Sequence, residues 1–146
     1  MTDLQTLLDE REIRDVALRY CRALDTKDWA LLDDVFTPDA TGDLGSGRTL
    51  AGIDAIRGRI RNALDELDDS QHLVGNHEIA VDGDTATHGC YLQAQHIRTA
   101  AAGGPNYIVA GRYDDVFART QVGWRITHRT LTVMWTEGNV RVAHGD

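Results

Sequence analysis

The sequence predicts an α+β fold in which a cone-shaped, curved antiparallel sheet wraps around three N-terminal helices. Three observations carry this expectation. Apolar residues recur at three- and four-residue steps through the first half, and extended, strand-like runs take over in the second. Turn compositions rich in Gly and Asp then divide that second half into four long runs. Helices gathered before a set of sequential hairpins belong to the α+β class, and a sheet curved over them leaves room for a pocket.

Ile13, Val16, Ala17, Tyr20, Cys21 and Leu24 share one stripe of a helix over about residues 10 to 25. Asp25-Thr26-Lys27-Asp28 breaks the pattern and supplies capping oxygens for a short second helix, with Trp29, Leu31, Leu32, Val35 and Phe36 ahead of Pro38. Residues 38 to 51, with Gly42, Gly45 and Gly47, read as an irregular hairpin. A third helix follows, carrying Ile53, Ile56, Ile60, Leu64 and Leu67 on one face and ending near Asp69. From Gln71 to Trp135, turns at Asp82-Gly83-Asp84, at residues 103–106 and at residues 121–123 leave four strands. With no repeat or linker, the chain is expected to be one domain spanning residues 1–146.

At 146 residues, with 42% hydrophobic and 26% charged content, the chain has material for one core. A net charge of −8 gives no basic footprint for nucleic acid or anionic lipid, and Arg57, Arg59 and Arg61 sit among acids. No run approaches the ~20 apolar residues of a membrane helix, and the N-terminus is not signal-like. The expected partners therefore exclude nucleic acid and membrane, and the expected location is cytoplasmic, with Cys21 and Cys90 as free thiols.

The chemical lead is a tyrosine, a carboxylate and an imidazole at the seams between elements: Tyr20, Asp25 and His72. An imidazole oriented by a carboxylate moves protons near neutral pH, and a nearby phenol can donate to a developing oxyanion. Each residue also has an ordinary reading. Asp25 sits at the negative end of a helix dipole and so needs a partner, but that role could be capping the next helix. His72 alone would be a core or rim residue, and Tyr20 a core aromatic.

Metal and nucleotide sites find no support in the spacing. His88 and His96 share a strand but are separated by roughly 26 Å of extended chain. His72 and His77 differ in parity and face opposite sides unless a bulge intervenes. Gly42-Asp43-Leu44-Gly45-Ser46-Gly47 has the wrong spacing for a phosphate cradle. No cofactor and no metal are expected.

Several motifs together resemble the SnoaL-like branch of the nuclear-transport-factor-2-like superfamily. They are Arg11-Glu-Ile-Arg-Asp-x-Ala-x-Arg-Tyr20 with Asp25, Asp28-Trp29-x5-Val35-Phe36, His72-x3-Asn76 and Gly123-Trp-Arg-Ile-x-His-Arg129. That superfamily is a cystatin-like α+β barrel, and the branch includes scytalone dehydratase, bile acid 7α-dehydratase and hexachlorocyclohexane dehydrochlorinase. The resemblance implies an Asp25–His72 catalytic dyad, with Tyr20 at the position that is tyrosine in the dehydratases. It implies a pocket role for Arg129, and a second pocket histidine that could be His88, His96 or His128. Trp29, Asn76, Tyr113 and Met134 complete the expected substrate contacts, with Phe36, Tyr91, Tyr107 and Trp135 as further wall candidates.

The expected function is a cofactor-independent lyase, a dehydratase-type elimination on a small, cyclic, largely apolar molecule. The alternatives are an isomerase or polyketide cyclase using the same dyad, or a non-catalytic ligand-binding module. An exposed sheet face implies a homo-oligomer, and the resemblance favours a trimer over a dimer. The polar segment from Glu137 to Asp146 is expected either to fray or to cover a neighbour's cavity.

Overall fold

The structure, a computed structural model, describes residues 3–144. In chain order the elements are α1 (Leu4–Asp25), a 3-10 helix (Trp29–Asp34), β1 (Phe36–Leu44), β2 (Leu50–Ala51), α2 (Ile53–Leu64), β3 (Asp69–Asp82), β4 (Thr85–Ile97), β5 (Asn106–Thr120), β6 (Gly123–Gly138) and α3 (Arg141–His144). The α+β class, the helix-first order and the places of the three connections between the long strands match the sequence reading.

Helix α1 begins earlier than its buried stripe. Asp3 caps it, its carboxylate accepting the Thr6 backbone N–H at 2.8 Å. Leu4, Leu7 and Leu8 in the first turns stay exposed, so no apolar face announces this part of the helix. The second helix is shorter than expected and of 3-10 form. Phe36 already belongs to β1, and Pro38 lies inside that strand. Proline cannot donate to a ladder, and it falls where the β1–β6 register shifts between Phe36 and Thr41, an irregularity that tolerates the missing N–H.

The six strands form one sheet in the order β2-β1-β6-β5-β4-β3. The four long strands pair antiparallel, joined by two-residue turns at residues 83–84 and 121–122 and a longer loop at residues 98–105, whereas β1 runs parallel to β6. That pair departs from an all-antiparallel sheet. It is possible because α2 and four strands separate its members, giving the long crossover that parallel pairing needs.

One apolar cluster joins Ile13, Val16 and Leu24 of α1 to Ile60 of α2 and to Phe117 and Trp124 on the inner face of the sheet. Register shifts between Gly75 and Glu78, Ala110 and Gly111, and Val116 and Phe117 let the sheet bend around the helices. At Gly111 a side chain has no room, because a Cβ there would lie 2.4 Å from the Thr132 carbonyl oxygen. Gly111→Ala is therefore expected to destabilise the fold by about 1–3 kcal/mol, the usual cost of overpacking, measured as a lower urea midpoint.

The tail does not fray within the described residues. Asn139 Nδ2 donates to the Ala102 and Gly104 carbonyls at 2.8 Å each, and α3 packs onto α2, β4 and β5 with Val142 buried. The segment thus covers its own chain's cavity, whereas the sequence reading offered fraying or a neighbour's cavity. The part of that expectation concerning residues 145 and 146 lies outside the described residues. No helix among the described residues is long and apolar enough to cross a membrane.

Candidate active site

Asp25 is the last residue of α1, and His72 is the fourth residue of β3, where the strand passes the helix end. The carboxylate reaches across to the strand with both oxygens. Oδ2 accepts the His72 backbone N–H at 2.9 Å, while Oδ1 lies 2.6 Å from His72 Nδ1 and accepts the Ser70 hydroxyl at 3.2 Å. The capping alternative fails on the same geometry, since Asp28 rather than Asp25 precedes the 3-10 helix. With Asp25 ionised, Nδ1 donates and Nε2 keeps its lone pair, a tautomer inferred from the hydrogen bonds. The His72 side chain is 5% exposed and lines the cavity.

The cavity, of ≈ 180 Å³, lies between the helices and the inner face of the sheet and is walled largely by aliphatic and aromatic side chains. Tyr20 and Tyr113 meet edge to face across it, with centroids 5.6 Å apart. Burial raises both phenols above their ordinary values, so both remain neutral hydrogen-bond donors.

Behind these rings sits Arg129, its guanidinium carbon 4.3 Å from the Tyr20 centroid and 3.9 Å from that of Tyr113. Asp115 holds it with two bonds, Nε to Oδ1 at 2.7 Å and Nη2 to Oδ2 at 2.8 Å. Its remaining nitrogen, Nη1, is buried without a hydrogen-bond partner among the described residues. Arg129 does not itself line the cavity, so it is placed to act through the tyrosines rather than as a direct contact.

Of the three histidines considered for a second pocket position, the cavity takes His96. Its ring is 5.9 Å from that of His72, and its Nδ1 donates to the Tyr107 carbonyl at 3.2 Å, leaving Nε2 as an acceptor. Burial, with His72 adding to it, lowers His96 to about 4 and keeps the ring neutral. His88 lies outside the cavity lining, bonded to Asp115, and His128 bonds to Thr41.

Besides Arg129, three expected contacts lie outside the cavity. Trp29 is half-buried in the 3-10 helix, where its carbonyl accepts from Arg57. Asn76 is exposed in a bulge with φ of 56°, a left-handed backbone that asparagine tolerates. Met134 is 60% exposed, being the extra residue of the β6 bulge between the partners of Ala110 and Gly111. Tyr113 does line the cavity, as do Tyr107, His144 of α3 and Leu131 and Val133 of β6. The parity of β4, on which Leu92, Ala94 and His96 share a face, was the signal that could have singled out His96.

Cys21 and Cys90 are buried thiols pushed up by desolvation, to about 11 and about 12, which leaves no activated sulfur nucleophile at rest. The bulge at Asn76 also reverses the parity argument for His77. It brings that ring against His88, Nδ1 to Nε2 at 2.9 Å, on the inner face.

A curved sheet closed over helices around an apolar chamber with a few convergent polar groups defines a small-molecule-binding or small-molecule-transforming domain, in a fold shared with nuclear-transport-factor-2-like and cystatin-like proteins. The SnoaL-like domain family matches residues 5–130, and the chain belongs to that family. It is similar to an uncharacterized protein of Mycobacterium tuberculosis, 34% identical over 139 residues that cover 90% of each chain. A solved protein of Kribbella flavida superposes with a TM-score of 0.86 at 28% identity, covering 97% of this chain and 99% of that one. A hexachlorocyclohexane dehydrochlorinase superposes with a TM-score of 0.82 over 93% of this chain and 92% of that one; at 16% identity this shows a common fold alone.

Proposed function

We propose that the chain is a cofactor-independent lyase of the dehydratase type, acting on a small, cyclic, largely apolar substrate. The observation that carries this reading is the 2.6 Å contact of Asp25 Oδ1 with His72 Nδ1 on the wall of an apolar chamber. A carboxylate on Nδ1 fixes the tautomer and stabilises the imidazolium formed when Nε2 takes a proton.

His72 removes a proton from the carbon next to a carbonyl, and Tyr20 donates to the oxygen that gains charge. The C–O bond of the neighbouring hydroxyl then breaks as the double bond forms. The imidazolium returns its proton to the departing oxygen, so the products are an unsaturated ketone and water. Arg129 behind the Tyr20 ring makes that phenol a stronger donor, and His96 Nε2 offers an acceptor for the substrate hydroxyl. Positioned acid–base groups contribute ~10²–10⁴-fold, and the rest must come from orientation and water exclusion.

Oligomerisation belongs to the same proposal. The sheet leaves Leu73, Tyr91, Val116 and Trp135 exposed away from the cavity, an apolar face that a homo-oligomer would bury, with a trimer favoured.

The test is to incubate the protein with a panel of cyclic β-hydroxy ketones and identify products by mass spectrometry. Loss of water, dependent on protein, is the expected outcome. A product of unchanged mass would replace the lyase with the isomerase or cyclase reading. Saturable binding without any product would leave a ligand-binding module and overturn both.

A further inference from the structure

Beyond the cavity, a second constellation forms where β3 and β4 pass each other. His88 and Cys90 are two residues apart on β4 and therefore share its inner face, where both are fully buried. His77 would face outward by strand alternation, but the bulge between Gly75 and Glu78 turns it inward, at the expense of a left-handed backbone at Asn76. One ring nitrogen of each histidine and Cys90 Sγ then lie within 4.8 Å of one another, and His77 Nδ1 stands 2.9 Å from His88 Nε2. None of the three residues lines the cavity beside His72.

We propose that these three side chains form a binding site for a zinc-class divalent cation, with a fourth position left for water. The donor set is two imidazoles and a thiolate, which suits zinc and excludes the hard magnesium and calcium ions. Zinc at ~2.0–2.1 Å from nitrogen and ~2.3 Å from sulfur would set the two nitrogens ~3.3 Å apart and each ~3.6 Å from sulfur. The nitrogens stand 2.9 Å apart and would open slightly as a metal replaces the proton between them, while the sulfur, within 4.8 Å of them, would close toward ~3.6 Å.

An outer shell for the site is present as well. His88 Nδ1 is 2.7 Å from Asp115 Oδ2, and Asp115 is itself clamped by Arg129, so the carboxylate fixes the His88 ring with Nε2 aimed at His77. Carboxylate-oriented imidazoles of this kind hold metal ligands in their basic tautomer. Charge is partly offset: Asp115 neutralises Arg129, and the Cys90 thiol gives up its proton on metal binding, cancelling one of the cation's two charges.

Cobalt(II) is the probe, because a thiolate ligand gives it a charge-transfer band and a tetrahedral sphere gives it strong visible absorption. The full chain, stripped with a chelator, is titrated with Co²⁺ alone. One equivalent with a thiolate band is expected, displaced by Zn²⁺, lost in Cys90→Ser and retained in Cys21→Ala. His77→Gln, at a half-buried position where folding is readily confirmed by circular dichroism, should weaken binding by at least ~10-fold, the loss that removal of even an outer partner of a metal ligand produces. No thiolate band at saturating Co²⁺, or a band with unchanged affinity in folded His77→Gln, would overturn the site.

Discussion

Asp25→Asn and His72→Ala are each expected to lower turnover of a dehydrated substrate by at least ~10²-fold while the protein remains folded. The hydrogen bonds give the reason for the first. Asp25 Oδ2 accepts the His72 backbone N–H, so an asparagine at this position must keep its carbonyl oxygen there and turn its amide nitrogen toward His72 Nδ1. An N–H facing Nδ1 forces the opposite tautomer, with the proton on Nε2 where a base needs a lone pair. In His72→Ala the base is absent, yet Asp25 keeps the backbone N–H and the Ser70 hydroxyl and is 24% exposed, so no buried charge is orphaned. Steady-state rates beside thermal melts check both variants, and full activity in either would remove the dyad from the mechanism.

The largest loss of stability is expected from Asp115→Ala, at about 3–5 kcal/mol in urea unfolding. The Asp115 side chain is fully buried and that of Arg129 is 1% exposed. Burial alone would push the Asp115 carboxyl up, but the charge and hydrogen bonds of Arg129, with His88, hold it below its ordinary value. Removing the carboxylate leaves a guanidinium sealed in the core beside two tyrosines and takes the acceptor from His88 Nδ1. Replacing both partners by apolar residues, Asp115→Leu with Arg129→Met, is expected to recover most of that stability, because the cost lies in the uncompensated charge. An Asp115→Ala protein as stable as the parent would show that Arg129 is not an isolated buried cation.

Much of the fold was legible because the chain obeys local rules. Ile13 to Leu24 keep a strict helical stripe, and the Gly- and Asp-rich turns fix consecutive hairpins. What escaped notice lacks such a signal. The first turns of α1 bury nothing, and α3 is a four-residue helix whose role is tertiary. Residues 38 to 51 do form the expected hairpin, β1 with β2, but Phe36 looked like the end of a helix because the parallel partner of β1, β6, lies far along the chain, and such pairing leaves no local mark.

The candidate site divides in the same way. Asp25, His72 and Tyr20 stand at element ends and on a core stripe, where both motif and periodicity point, and the structure brings all three to one place. Trp29 and Met134 were chosen by residue type and Asn76 by its motif, and the 3-10 turn and two bulges carry them elsewhere. Bulges are the recurrent reason, since one inserted residue reverses every inward and outward assignment beyond it. The same effect hid His77 from its partners.

Proton removal by His72 can be tested without knowing the natural substrate. A cyclic ketone is incubated with the protein in deuterium oxide, and exchange at the carbon next to the carbonyl is followed by NMR. Exchange well above the buffer rate in the parent protein, falling to that rate in folded His72→Ala and Asp25→Asn, is the expected result. Exchange that proceeds equally fast in parent and His72→Ala would mean that the imidazole takes no proton, and the proposed chemistry of the cavity would have to be abandoned.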